Sequence, residues 1–203
     1  HRIFGSEYWS GFTQGESATY YRPLTVLSFA FDRAIWGENP FGYHLTNLVL
    51  HVACALLVYV LCLRLLRHRK GSALAALLFA VHPVHTEAVS NISGRSDLLF
   101  GALGLAVLLL HVRGSRSGRW AAPVLVFLAL CAKEVAVVLP ALLLFCDAIW
   151  KPGTAPGMGA YLWDRFRSRH VWTLAALGGF AALRFLAVGS LSAVTPSPLD
   201  NPL

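Results

Sequence analysis

The sixteen residues from His82 to Asp97, HPVHTEAVSNISGRSD, gather most of the groups able to do chemistry, and they stand between two apolar runs. His82, His85 and Glu87 follow the order H-x-x-H-x-E, which suggests metal ligation. The H-E-x-x-H order of the zinc proteases is absent, so no metal site is assigned. Arg95 stands where the next helix should start, and a guanidinium there can grip an anionic oxygen through two parallel N–H bonds. Ser96 is a good cap for that helix, and Asp97 in its first turn suits the positive end of the helix dipole. Both therefore have a structural use beside any chemical one. Asn91-Ile92-Ser93 has the form of a glycosylation sequon, read as incidental beside an apolar segment. Lys133 and Glu134 interrupt a second apolar run, LCAKEVAVVLP. They are either a pair whose stems snorkel to an interface or, for Lys133, a point charge that holds a phosphate. With Arg22, Arg95 and Lys133 make three cations near the ends of apolar runs.

The elements that must position these groups are helices in a membrane. Of 203 residues, 56% are hydrophobic and 13% charged, against about 25% charged in a soluble domain. A bilayer core about 30 Å thick needs about 20 apolar residues as helix. Six candidate crossings follow: Phe41–Leu66, Ser72–Val81, Leu98–Val112, Trp120–Ala132, Val135–Ile149 and His170–Val188. Ser72–Val81 is short. It either runs on through the His82 segment or stops at membrane depth, where irregular backbone survives only beside a protein cavity. Cys54, Cys62, Cys131 and Cys146 lie inside apolar runs without redox or metal spacing, and read as buried free thiols.

Eleven of the 17 Lys and Arg residues fall in the loops after the first, third and fifth crossings. The positive-inside rule makes those loops cytoplasmic. The net charge of +7 is then mostly a topology signal, and no basic stripe outside these loops points to nucleic acid. Residues 1–40, the 82–97 segment, Lys133-Glu134 and 189–203 fall on the exoplasmic side. Within residues 1–40, Pro23 suits a first helical turn. Leu24, Leu27, Phe31 and Ile35 recur at helical spacing, with Thr25, Ser28 and Asp32 on another stripe. This predicts an amphipathic helix on the membrane surface, with Tyr20, Tyr21, Trp36 and Tyr43 as interfacial aromatics. In the first crossing, His44, Asn47 and His51 share a face. They are either a polar stripe bonding a neighbouring helix or a wall of an exoplasmic cavity, carried by His44 and Asn47.

YYRPLTVLSFAFDRAIWGENPFGYHLTNLVLH, then ALLFAVHPVHTEAVSNISGRSDLL, then AKE before an apolar run, resemble the transmembrane and tetratricopeptide-repeat O-mannosyltransferase family and its bacterial relatives. The resemblance covers roughly residues 20–150, in the family's order; LDNPL at the end is also similar. It implies an all-α polytopic bundle of the GT-C glycosyltransferase type, with its site on the exoplasmic face. It implies transfer of a sugar, mannose in the repeat-bearing relatives, from a polyprenyl- or dolichyl-phosphate to Ser or Thr of a protein acceptor, with inversion. No nucleotide, nicotinamide or other cofactor is implied. Arg22, His82, His85, Glu87, Arg95, Asp97, Lys133 and Glu134 become the candidate substrate-binding residues. The partners are the lipid-linked sugar, the protein acceptor and membrane lipid. The family's first crossing, the acidic pair after it and the repeats are expected outside this chain. The chain alone is then expected to be inactive, and neither Glu87 nor Asp97 is assigned as the base. Two other classes remain open: a transporter with a polar path, and a membrane scaffold.

Overall fold

The computed structural model describes residues 21–114, 116–149 and 157–188. The expectations for residues 1–20 and 189–203, Tyr20 and LDNPL among them, lie outside the described residues. All regular structure among the described residues is helical: α1 (Pro23–Trp36), α2 (Pro40–Leu66), α3 (Arg69–Val81), α4 (Thr86–Ser90), α5 (Arg95–Arg113), α6 (Arg116–Ala132), α7 (Leu139–Ile149), α8 (Met158–Arg165) and α9 (Val171–Val188). Short 3-10 turns at Pro83–His85, Ile92–Gly94 and Glu134–Val138 join some of them. One wide π turn, Phe166–His170, links α8 to α9.

Local chemistry sets each break. Gly37, at φ +64°, ends α1 with its N–H on the Arg33 carbonyl. Asn39 then caps α2 by accepting the Phe41 N–H at 3.1 Å. Arg67 ends α2 at φ +53°, a left-handed conformation that costs a residue with a Cβ about 1 kcal/mol. His68 caps α3 by accepting the Gly71 N–H at 2.9 Å. Pro83 stops α3, because its ring disfavours helical backbone at the residue before it. His82 is accordingly extended, and its Nδ1 accepts the Val84 N–H at 3.2 Å.

Among the described residues three helices are long and apolar enough to cross a membrane: Pro40–Leu66, Ile92–Arg113 and Met158–Ala187. A fourth follows if α3 and Pro83–Ser90, bent by 47°, count as one span. Of the other two expected crossings, Gly118–Ala132 is a shorter apolar helix, and Val135–Ile149 divides into a 3-10 turn and the 11-residue α7. Lys133 is extended, so the α6–α7 break falls at the charged residues.

The packing has polar groups inside and apolar groups outside. Thr25, Asp32, Asn47, Arg95, Asp147 and His170 are buried, while Val49, Val52 and Leu56 of α2 and Leu186 of α9 are exposed. Lipid is as apolar as leucine, so polar groups in such a bundle turn inward and bond between helices. An apolar core of Val107, Val126, Leu130, Leu139, Leu143 and Phe180 ties α5, α6, α7 and α9 together. α1 follows the same rule. Its polar stripe, with Thr25 and Asp32, is buried, and Leu27, Phe31 and Ile35 of its apolar stripe are exposed. The Thr25 hydroxyl donates to the Ala132 carbonyl at 3.0 Å.

Candidate functional site

The helix ends at Pro40, Val81, Arg95 and Ala132 form one polar end of the bundle, where α1 and α4 also lie. A cavity of about 480 Å³ opens there. Its wall includes Arg22 from the entry to α1, His85 and Glu87 from the segment after Pro83, and Ser96 and Asp97 from α5. Arg22 donates from Nε to Glu134 at 3.1 Å and from Nη1 to the Ser96 hydroxyl at 3.4 Å. Lys133 reaches Asp97 through an ion pair, so that the lysine sits behind a wall carboxylate. Glu134 lies between Arg22 and Arg184, whose Nη1 is 3.7 Å from its second oxygen. Lys133 and Glu134 are therefore not each other's partners; each faces a different element. Three cations, Arg22, Lys133 and Arg184, and three carboxylates, Glu87, Asp97 and Glu134, gather in and just behind this wall.

Arg95 takes a different place. Its side chain is fully buried between α1, α2 and α5. Nη2 donates to Asp32 at 2.7 Å and to the Tyr43 carbonyl at 2.9 Å; Nη1 donates to the Ser28 hydroxyl at 3.4 Å; Nε donates to Asn47. The Phe29 ring lies 4.9 Å from its guanidinium carbon. The expected grip on an exogenous anion is corrected by this packing: the donors are committed to the protein. Helical residues two apart point about 200° apart, so Arg95 turns into the bundle while Asp97 turns to the cavity. Asn47 also donates to the carbonyls of Val89 and Asn91, at 3.4 and 3.0 Å. His51 bonds the Ala80 carbonyl at 3.0 Å, and His44 is exposed. The stripe on α2 is therefore the helix-bonding kind, not a cavity wall.

Two further expectations change. Ser96 does not cap α5: the Ile92–Gly94 turn runs straight into the helix, so Gly94 takes the cap position without a side-chain bond. Asp97 keeps its place in the first turn. His82 faces away from the main cavity, into a smaller pocket with His51 and His85. Among the described residues no three His, Cys, Asp or Glu side chains form a set able to hold a metal ion. The sequon asparagine, Asn91, accepts both the N–H and the hydroxyl of Ser93.

Gly94 belongs to the cavity wall because two backbones meet there. A Cβ on it would lie 2.5 Å from the Ala88 carbonyl oxygen and 2.7 Å from the Ala88 Cα. Neither atom can swing away as a side-chain tip would. Gly94→Ala is expected to lower stability by about 1–3 kcal/mol, as overpacking does. Thermal unfolding in detergent checks this; an unchanged midpoint would mean that the α4 turn yields freely.

No protein-family model matches the chain, and no solved structure matches it. Curated proteins do. It is 42% identical over 118 residues to the protein O-mannosyl-transferase TMTC1 of Mus musculus. It is 38% identical over 133 residues to Tmtc1 of Drosophila melanogaster, and 38% over 112 residues to TMTC3 of Homo sapiens. The chain is a homologue of the TMTC protein O-mannosyl-transferases. These matches take in 57%, 64% and 55% of the chain, but only 12%, 16% and 12% of the relatives' own lengths.

In this TMTC homologue the sequence signals missed three site-forming groups: Asp32, Ser28 and Arg184. Asp32 and Ser28 were legible as a polar stripe on α1, but nothing local says that this stripe faces inward. Arg184 stands alone in an apolar run, FAALRFLAV. A lone arginine deep in a candidate crossing is costly unless it meets a partner, and the structure supplies Glu134.

Proposed function

We propose that this membrane region serves a glycosyltransferase that moves a sugar, mannose by the relatives' name, from a polyprenyl- or dolichyl-phosphate to Ser or Thr hydroxyls of a protein. The observation that carries the reading is the cavity at the polar end, whose wall joins Arg22 and Asp97 to His85 and Glu87, with Lys133 paired to Asp97 behind it. A lipid-linked donor lies along the apolar exterior with its phosphate at this depth. Arg22 and Lys133 hold that phosphate, Lys133 by exchanging Asp97 for a phosphate oxygen. The acceptor hydroxyl gives its proton to a base and attacks the anomeric carbon. The bond from that carbon to the phosphate oxygen breaks, and the electron pair leaves on the lipid phosphate. Cations placed where this charge grows lower the barrier. His85 and Glu87 bond sugar or acceptor hydroxyls. The base is assigned to neither Glu87 nor Asp97, and this end of the bundle faces the lumen or periplasm.

The test uses membranes that contain the full-length protein, supplied with radiolabelled polyprenyl-phosphate mannose. Label should enter protein, be released by mild alkali as expected for Ser and Thr linkages, and carry the anomer opposite to the donor's. Label taken equally well from a nucleotide sugar, with lipid-linked synthesis blocked, would reject the donor. Absence of transfer from any lipid-linked sugar would favour a transporter or scaffold.

A further inference from the structure

The opposite, basic end of the bundle holds a second cavity, about 340 Å³, built from residues that the proposed transfer reaction does not use. Arg64 and Arg67 reach it from the end of α2, Arg165 from α8, Arg169 from the π turn, and His111 and Asp147 from α5 and α7. Four guanidiniums and one carboxylate leave a formal surplus of three positive charges.

The carboxylate is already taken. Asp147 is buried between two imidazoles, with His111 Nε2 at 3.0 Å and His170 Nε2 at 2.9 Å. Arg165 stands 4.0 Å from it and donates to the Tyr161 hydroxyl at 3.2 Å. Among the described residues no carboxylate pairs with Arg64, Arg67 or Arg169. The bias of Lys and Arg toward one side of a membrane explains why arginines occur near these helix ends. It does not explain why four of them, from three separate elements, converge on one concave wall. Nor does it explain an arginine at position 67, where the backbone is left-handed and glycine is the favoured residue. Arginines presenting paired N–H donors match the oxygens of a phosphate. Leu65 and Val112 add an apolar side to the wall, and the exposed apolar face of α2 leads up to it.

We propose that this cavity binds a phosphate-bearing anion, held by Arg64, Arg67 and Arg169, while Asp147, in the same wall, stays engaged by His111, His170 and Arg165. Two sources share that chemistry: the headgroup of an anionic phospholipid and free phosphate in solution. Basic pockets between helix ends are recognised receptors for such headgroups. The site lies at the other end of the bundle from the proposed transfer site, so either reading can fail alone.

The test is thermal unfolding of the full-length protein in maltoside detergent, read by tryptophan fluorescence. The additions are dioleoyl phosphatidic acid, dioleoyl phosphatidylcholine or inorganic phosphate. Binding to the folded state alone raises the midpoint, on the order of 5 °C at a large excess over the dissociation constant. The expected result is a rise with phosphatidic acid and none with phosphatidylcholine. It should disappear in the Arg64→Gln/Arg169→Gln double variant and survive in Lys70→Gln, a charge change at the same end but outside the cavity. A matching rise with inorganic phosphate would support the site with free phosphate as its source. No rise in the wild type with either anion would overturn the proposal, whatever the variants do. So would a rise that the double variant keeps in full.

Discussion

Arg95→Met is expected to be the most destabilising single change in the chain, at about 3–5 kcal/mol. Removing one partner of a buried ion pair strands the other charge. Here Asp32 would be left 2% exposed, facing a thioether. For a chain of this size the thermal midpoint should fall by on the order of 10 °C. Arg95→Lys should recover only part of this, because one ammonium cannot cover acceptors spread over Asp32, Asn47, Ser28 and Tyr43. Asp32→Asn in the Arg95→Met background should recover part as well, since it removes the stranded charge. Unfolding followed in detergent for all four proteins checks the set. A midpoint for Arg95→Met within about 2 °C of wild type would show that the guanidinium does not tie α1 to the bundle.

Lys133→Gln and Arg22→Gln should do the opposite: fold well and fail at chemistry. The Lys133–Asp97 pair is partly open to solvent, with Asp97 48% exposed, and exposed pairs contribute about 0–1 kcal/mol. If the two cations carry leaving-group charge, each loss should cut transfer by about 10²–10³-fold, as deleting one preorganised donor does. Near-normal folded yield with collapsed transfer from polyprenyl-phosphate mannose is the expected signature. Transfer unaffected in both variants would remove the phosphate grip from the mechanism. Arg95 variants cannot serve this test, because an inactive Arg95 protein is expected to be a poorly folded one.

The two arginines show what was legible in the sequence and what was not. Composition and the apolar runs were enough for an all-α membrane bundle, and the polar density of residues 82–97 marked the end where the main cavity lies. The role of Arg95 was not legible. A guanidinium at the start of a helix looks the same whether it points to a cavity or into a neighbour, and the 100° step between residues decides. That step can be read only once the facing stripe of α1 is known, and α1 is 63 residues away. The crossing count suffered from the same limit. Hydropathy sees Val135–Ile149 as one run, but its first residues belong to the 3-10 turn Glu134–Val138 and α7 begins only at Leu139.

The tether of α1 also sets a timetable for biosynthesis. Two of its hydrogen-bond partners arrive late: Arg95 follows Asp32 by 63 residues, and the Ala132 carbonyl follows Thr25 by 107. At about 5–20 residues per second of translation, the nascent chain waits roughly 3–13 s before the Asp32 carboxylate can meet its guanidinium. During that interval α1 has an apolar stripe suited to lipid, and on its polar stripe Asp32 has the Thr46 hydroxyl, at 2.8 Å, but no guanidinium to meet its charge. The helix nearest the start of the described chain is thus among the last to be fixed. A ribosome stalled between those two points would leave it lying loose on the membrane surface, a substrate for quality-control proteases.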